Sequence, residues 1–206
     1  MFIRKITEDI RKLKPKEVVT YLALALKSDY RTLQSAVNEE TLAKELDISL
    51  KTVYNHIKKF KDTGLVTINT KYLNKDGNTI KKNFYQLSSK HYDEIEVKRL
   101  LELPIDSALK GFLVLLKAMC LDCSNICKLS ASEMVEYLVI GKRSIETYLK
   151  QAEDLGYISR KDGVIKLLDD EIFRIPRETE KRLYLGIYSE AFDDDDFNEK
   201  GKYIGK

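Results

Sequence analysis

Between Thr41 and Ile68, apolar residues recur at intervals of three, four and seven: Leu42, Leu46, Val53, Ile57 and Phe60. That spacing predicts the buried face of two short amphipathic helices separated by Asp47-Ile48-Ser49. Asp tolerates the left-handed backbone of a sharp turn, and Ser49 is suited to cap the second helix. Ala43 is small where two steeply crossed helices must touch. Gly64 predicts the end of the second helix, and the β-prone Leu65-Val66-Thr67-Ile68 follows.

Upstream, Met1–Ile6 alternates loosely, as a short strand or arm would. Pro15 stands at the entry to a helix expected over Lys16–Lys27, with Val18, Val19, Tyr21, Leu22 and Leu26 for the core. Ser28–Ala36 reads as a polar loop, with Val37 adding one residue of strand. Asn38 is placed to cap the next helix, and Glu39 and Glu40 suit its first turn. Downstream, Val66–Leu73 and Thr79–Leu87 flank Asn74-Lys75-Asp76-Gly77-Asn78, a hairpin signal. Ser88–Glu96 is polar and charged and reads as a linker.

The pattern then repeats. Shifted by 92 residues (134 − 42), Leu42 falls on Met134, Leu46 on Leu138, Ile48 on Ile140, Val53 on Ile145, Ile57 on Leu149 and Gly64 on Gly156, without a gap. Further upstream, Gly111–Ala118 is similar to Thr20–Lys27. Ser130 and Glu133 form a predicted capping box, and Asp162-Gly163 predicts a shorter hairpin turn. The second copy has diverged at its turn. Val139 replaces Asp47, and a β-branched residue suits a left-handed turn poorly; Val135 replaces Ala43.

Helix, tight turn, helix, Gly and strand together resemble the winged helix-turn-helix domains of bacterial, plasmid and phage DNA-binding proteins. Leu42, Ala43, Leu46, Ile48, Ser49, Thr52, Val53, Ile57 and Gly64 match that motif, whereas Asp47 stands where the family usually has Gly. The resemblance implies a mainly helical α+β chain of two tandem winged-helix domains. Residues 1–90 would be the DNA-binding domain, 91–172 its diverged copy, and 173–206 a short helix with an acidic tail.

Charge separates the two copies. Residues 1–90 hold 18 Lys and Arg against 10 Asp and Glu, a net +8; residues 91–170 hold 11 against 14, a net −3. Phosphate neutralisation dominates DNA affinity, so the first copy is the expected reader. On its second helix, Ser49, Lys51, Thr52, Tyr54, Asn55, Lys58 and Lys59 lie off the apolar stripe; Lys and Asn suit G and A edges in the major groove. Lys71, Lys75, Lys81 and Lys82 make the hairpin a basic finger. In the second copy the candidates are Lys142, Arg143, Ser144, Thr147 and Lys150. Each of these also fits a solvated helix face or a soluble hairpin edge.

Other chemistry is thin. Cys120, Cys123 and Cys127 have a metal-like spacing, but neither His56 nor His91 is near in sequence, so no metal or cofactor is expected. With two His, and neither a phosphate-cradling Gly loop nor a nucleophile motif, an enzyme is not expected. The longest apolar run, Tyr21–Leu26, is too short to span a bilayer, and three Cys suit a reducing cytoplasm. The acidic run Asp193–Asp196 reads as a solvated tail, or as a competitor with DNA for the basic unit. Together these features favour a cytoplasmic transcriptional regulator of double-stranded DNA, with homodimerisation on repeated or palindromic sites left open. The alternatives are a plasmid or phage replication initiator at repeated origin sites, and a tandem winged-helix protein–protein adaptor.

Overall fold

Pro15 opens the first helix, α1 (Pro15–Leu26), where its fixed φ and missing N–H carry little cost. The Lys14 N–H donates to the Glu17 carboxylate at 2.7 Å, closing the entry turn. Every residue from Val18 to Ala25 is buried, including Thr20 and Tyr21. A helix with no wet face must be covered on all sides, and this requirement organises the molecule. The computed structural model describes residues 3–75, 78–88 and 92–175. Among them are seven α-helices and three small antiparallel sheets, an α+β fold.

One side of α1 is covered by α2 (Glu39–Leu46) and α3 (Leu50–Asp62). Asn38 caps α2, accepting from the Glu40 N–H at 3.1 Å. Asp47 ends it in the left-handed region at φ 51, and the Ile48 N–H returns to the Ala43 carbonyl at 3.0 Å. This is a Schellman closure with Asp in the place usually given to Gly. Ser49 caps α3 by accepting from the Thr52 N–H at 3.1 Å. Gly64, at φ 75, lets the chain turn into β3 (Val66–Lys75), which pairs with β4 (Asn78–Leu87). On the other edge of β4 lies β2 (Gln34–Ser35), so the expected strand residue is here rather than at Val37. The expected Asp76-Gly77 turn lies outside the described residues.

The second half repeats this order. It comprises α5 (Ser107–Lys117), β6 (Ile126–Cys127), α6 (Ala131–Tyr137), α7 (Lys142–Asp154), β7 (Ile158–Lys161) and β8 (Val164–Leu167). The starts of α1 and α5, of β2 and β6, of α3 and α7, and of β3 and β7 all stand 92 residues apart (142 − 50 for the third pair). The register therefore begins at the first helix, one residue away from the Thr20–Gly111 pairing suggested by composition. The Ser130–Glu133 capping box forms as expected. At the diverged turn, Leu138 is extended and Val139 is exposed, so no left-handed residue closes α6. The short hairpin turns through Asp162 and Gly163, both at positive φ, the backbone of a type I′ turn.

The two halves meet through their equivalent helices, α1 against α5. Gly111 permits the contact: a Cβ there would lie 1.9 Å from the Pro15 carbonyl oxygen. A single hydrophobic core runs through both halves. The expected linker Ser88–Glu96 is instead structural. Its last residues form β5 (Tyr92–Glu96), the central strand between β1 (Ile3–Thr7) and β9 (Phe173–Arg174), and α4 (Val97–Glu102) follows directly. Phe173 and Arg174, expected at the start of the tail, belong to this sheet. Polar composition concealed β5 because its Asp93 is buried opposite Lys117, with Nζ and Oδ1 3.7 Å apart. Lys117 is fully buried and also donates to the carbonyls of Cys123, Ser124 and Arg174 and to Asn125 Oδ1, at 2.7–3.1 Å. Burial lowers the Lys117 pKa and raises that of Asp93, each shift opposed by the partner's charge. The short helix and acidic run expected in the tail, residues 177–196, lie outside the described residues.

Candidate nucleic-acid interface

α3 lies across α1 and buries Val53, Ile57 and Phe60. Phe60 meets Tyr21 edge to face, with ring centroids 5.6 Å apart. With that stripe inward, the spacing of 3.6 residues per turn sorts the remaining side chains. Lys51, Tyr54, Asn55 and Lys58 share one exposed stripe, and Tyr54 retains 52% of its accessible surface. Thr52, His56 and Lys59 occupy the flank, where they line crevices toward the second half. The Thr52 hydroxyl is engaged with Ser49 Oγ at 2.8 Å, so Ser49 and Thr52 serve the helix start. Of the seven candidates on this helix, four therefore project together and three do not.

The long hairpin is fixed to the helices at its base. Tyr85 OH and Asn83 Nδ2 both donate to Glu39 Oε1, the latter at 2.9 Å. Burial works against the Glu39 charge, but these two hydrogen bonds outweigh it and hold the carboxyl below its ordinary pKa. Burial first, and then the neighbouring carboxylate, raises the Tyr85 phenol. Farther out, register divides the lysines. Lys71 is paired with Lys82, so both lie on one face, where their ammonium groups stand 5.2 and 5.8 Å from the Phe84 ring centroid. Lys81 is paired with Tyr72 and lies on the opposite face. Tyr72, 70% exposed, was passed over in the sequence, and alternation along the strand was the signal that could have found it. The side chain of Lys75 lies outside the described residues. Two like charges directly across a strand pair repel; the ring face beneath them offsets part of that cost.

In the second half, Lys142, Arg143, Ser144, Thr147 and Lys150 are all exposed on α7. Lys142 stands 3.8 Å from Glu146, and the Thr147 hydroxyl donates to the Arg143 carbonyl at 2.8 Å. Arg160 on β7 pairs with Glu153. The surface is of mixed charge.

The cysteines are packed rather than presented. The Cys120 thiol donates to the Leu116 carbonyl at 3.3 Å, and Cys127 is buried in β6; burial raises both thiol pKa values. All three cysteines are free thiols. No described helix is long and apolar enough to cross a membrane. No protein-family model, curated protein or solved structure matches the chain.

Proposed function

We propose that this chain is a tandem winged-helix protein that binds double-stranded DNA in a sequence-specific manner, as a transcriptional regulator. In this reading α3 enters the major groove and the hairpin β3–β4 lies along the backbone. The observation that carries it is the single exposed stripe Lys51, Tyr54, Asn55 and Lys58, followed by a hairpin that bears Lys71 and Lys82 on one face and Lys81 on the face it shares with Asn83 and Tyr85. Lys and Asn offer donors to G and A edges, and the hairpin lysines offer phosphate contacts that position without specifying. Ser49 and Thr52 hold the start of the helix, and α7 adds a weaker, mixed-charge surface.

The test begins with recovery of bound fragments from genomic DNA, followed by gel shifts on the enriched site. Asn55→Ala should cost about 1–3 kcal/mol at that site and flatten base preference. Lys71→Ala should weaken all sequences alike and reduce the slope of log affinity against log salt by about 0.9. A folded chain that enriches no fragment would point to a protein–protein adaptor. The replication-initiator reading is favoured by the gapless 92-residue repeat packed through α1 and α5, which presents two related helices from one chain. Enrichment confined to repeated origin sites would select it over the regulator.

A further inference from the structure

A crevice of about 530 Å³ runs along α1 beneath the turn between α2 and α3. Its wall from α1 spans Lys16 to Leu26, about 15 Å at the helical rise of 1.5 Å per residue. α3 contributes Thr52 and His56, the turn contributes Leu46 and Ile48, and the second half closes the far side with Leu101 and Lys110. Pockets of this size at junctions between packed units are the usual places for small ligands.

The repeat gives the two halves different linings here; in the second half a smaller crevice of about 440 Å³ lies against Ala108, Ser144 and Tyr148. In the 92-residue register Thr20 corresponds to Phe112, Ala23 to Leu115 and His56 to Tyr148. Phe112 and Tyr148 stack with centroids 5.1 Å apart in the wedge between α5 and α7. In the first half, Thr20 Oγ1 and His56 Nδ1 meet at 2.7 Å instead, and the smaller side chains leave the wedge open.

The crevice is also polarised. At the α1 start stand Lys16 and Lys110. Lys110 Nζ donates to the Leu101 carbonyl at 2.5 Å and has no carboxylate within ion-pair distance among the described residues. Partial burial disfavours its charge, an effect opposed by Asp106, so an anion would relieve it. At the other end, Leu26, Leu46 and Ile48 give an apolar lining. Glu45 is neutralised there by Lys27 at 2.6 Å, and Asp47 would repel an anionic head.

We propose that this crevice binds a small apolar carboxylate, its head toward Lys110 and Lys16 and its tail toward Ile48, and that α3 responds to its occupancy. The regulatory consequence rests on the DNA-reading role given to α3. A titration without DNA separates the two, because loss of DNA binding would leave it unaffected.

The experiment uses the full chain, with decanoate as the probe and decyltrimethylammonium as the cationic control, both below their micellar range. Calorimetry should show one decanoate per chain, bound at least tenfold more tightly than the cation. Lys110→Gln should weaken decanoate about tenfold, and Leu101→Trp should abolish binding by filling the crevice from the side opposite α3. Lys110→Met, which keeps the apolar stem, should match Lys110→Gln and guards against a packing effect. Amide resonances of Ile48, Thr52 and His56 should shift on titration, whereas those of Ser159 and Ile165 on the second hairpin should not. Equal affinity for the two amphiphiles, decanoate binding indifferent to all three substitutions, or shifts spread evenly over both halves would each overturn the proposal.

Discussion

α3 and α7 are the same helix in two chemical settings. Both have 13 residues, both end before a glycine at nearly the same φ (75 at Gly64, 74 at Gly156), and both bury three corresponding positions. Those positions are Val53 with Ile145, Ile57 with Leu149, and Phe60 with Ala152. Their outer faces differ. α3 carries Lys51, Lys58, Lys59 and Lys61 against Asp62 alone; α7 sets Lys142, Arg143 and Lys150 against Glu146, Glu153 and Asp154. The hairpins differ too, with ten-residue strands after α3 and four-residue strands after α7. The apolar positions reproduce the backbone, and the polar positions, free to vary on that backbone, set the charge each helix presents.

The largest expected effect falls on the joint that lets the two halves be compared at all. Gly111 stands where the first half has Val19, and its added Cβ would collide with backbone, which cannot move aside as a flexible side chain can. Gly111→Ala should destabilise the chain by about 3 kcal/mol, at or above the usual range for overpacking, in urea denaturation. Gly141→Ala, with open space around its Cβ and φ −77, should lose only the advantage of Gly over Ala at the N-cap of α7, about 1 kcal/mol. Similar losses for both would mean that the halves are not tightly packed through α1 and α5.

Next comes charge on the two helices. If α3 reads DNA as proposed, Lys51→Glu with Lys58→Glu should lower duplex affinity about a hundredfold in gel shifts, because two cations set against a polyanion become repulsive charges. Lys142→Glu with Lys150→Glu should change it by less than about threefold. The reverse order would transfer the reading role to α7.

The turns predict a smaller asymmetry. Asp47 occupies the left-handed region, so Asp47→Val should cost about 1–2 kcal/mol in stability. Val139→Asp should be nearly neutral in the same denaturation series, because position 139 does not adopt positive φ.

The smallest effect is a pH dependence confined to the first half. Burial, opposed by Glu17, lowers the His56 pKa below its ordinary 6.5, so the unfolded chain binds the proton more readily. The neutral His56 therefore contributes its stability above pH 6.5, and the contribution is lost as pH falls through the lowered value. Thermal melts between pH 7.5 and 5 should show this loss in the parent and a reduced loss in His56→Gln. Tyr148→Phe, at the corresponding position of the second half, should leave the pH dependence unchanged.

The helices that recur in the two halves, the caps at Asn38, Ser49 and Ser130, the left-handed Asp47, Gly64 and the repeat could be read directly from the chain, because each rests on interactions spanning a few residues. Ser49 reaching Thr52, or apolar residues recurring at three and four, depends on no distant partner. The exposed stripe of α3 was partly legible for the same reason, since helical periodicity separates Lys51, Tyr54, Asn55 and Lys58 from the buried positions.

What periodicity could not supply was the partner of each polar face. Thr52 and Lys59 lie off the apolar stripe as surely as Lys58 does, but only the second half, packed alongside, turns them from a free face into crevice walls. Alternation alone could separate Lys81 from Lys71 and Lys82, yet the phase of that alternation is set by pairing across the hairpin. β5 was hidden most deeply. Asp93, Glu94 and Glu96 read as solvent-facing because burying a carboxylate is costly; for Asp93 the cost is partly offset by Lys117, 24 residues away (117 − 93), with Asn125 and the Arg174 carbonyl completing the network around that lysine. Local pattern determined the helices, the turns and their duplication. Long-range packing decided which halves touch, through Pro15 and Gly111, and which charges are spent inside the protein rather than left on its surface.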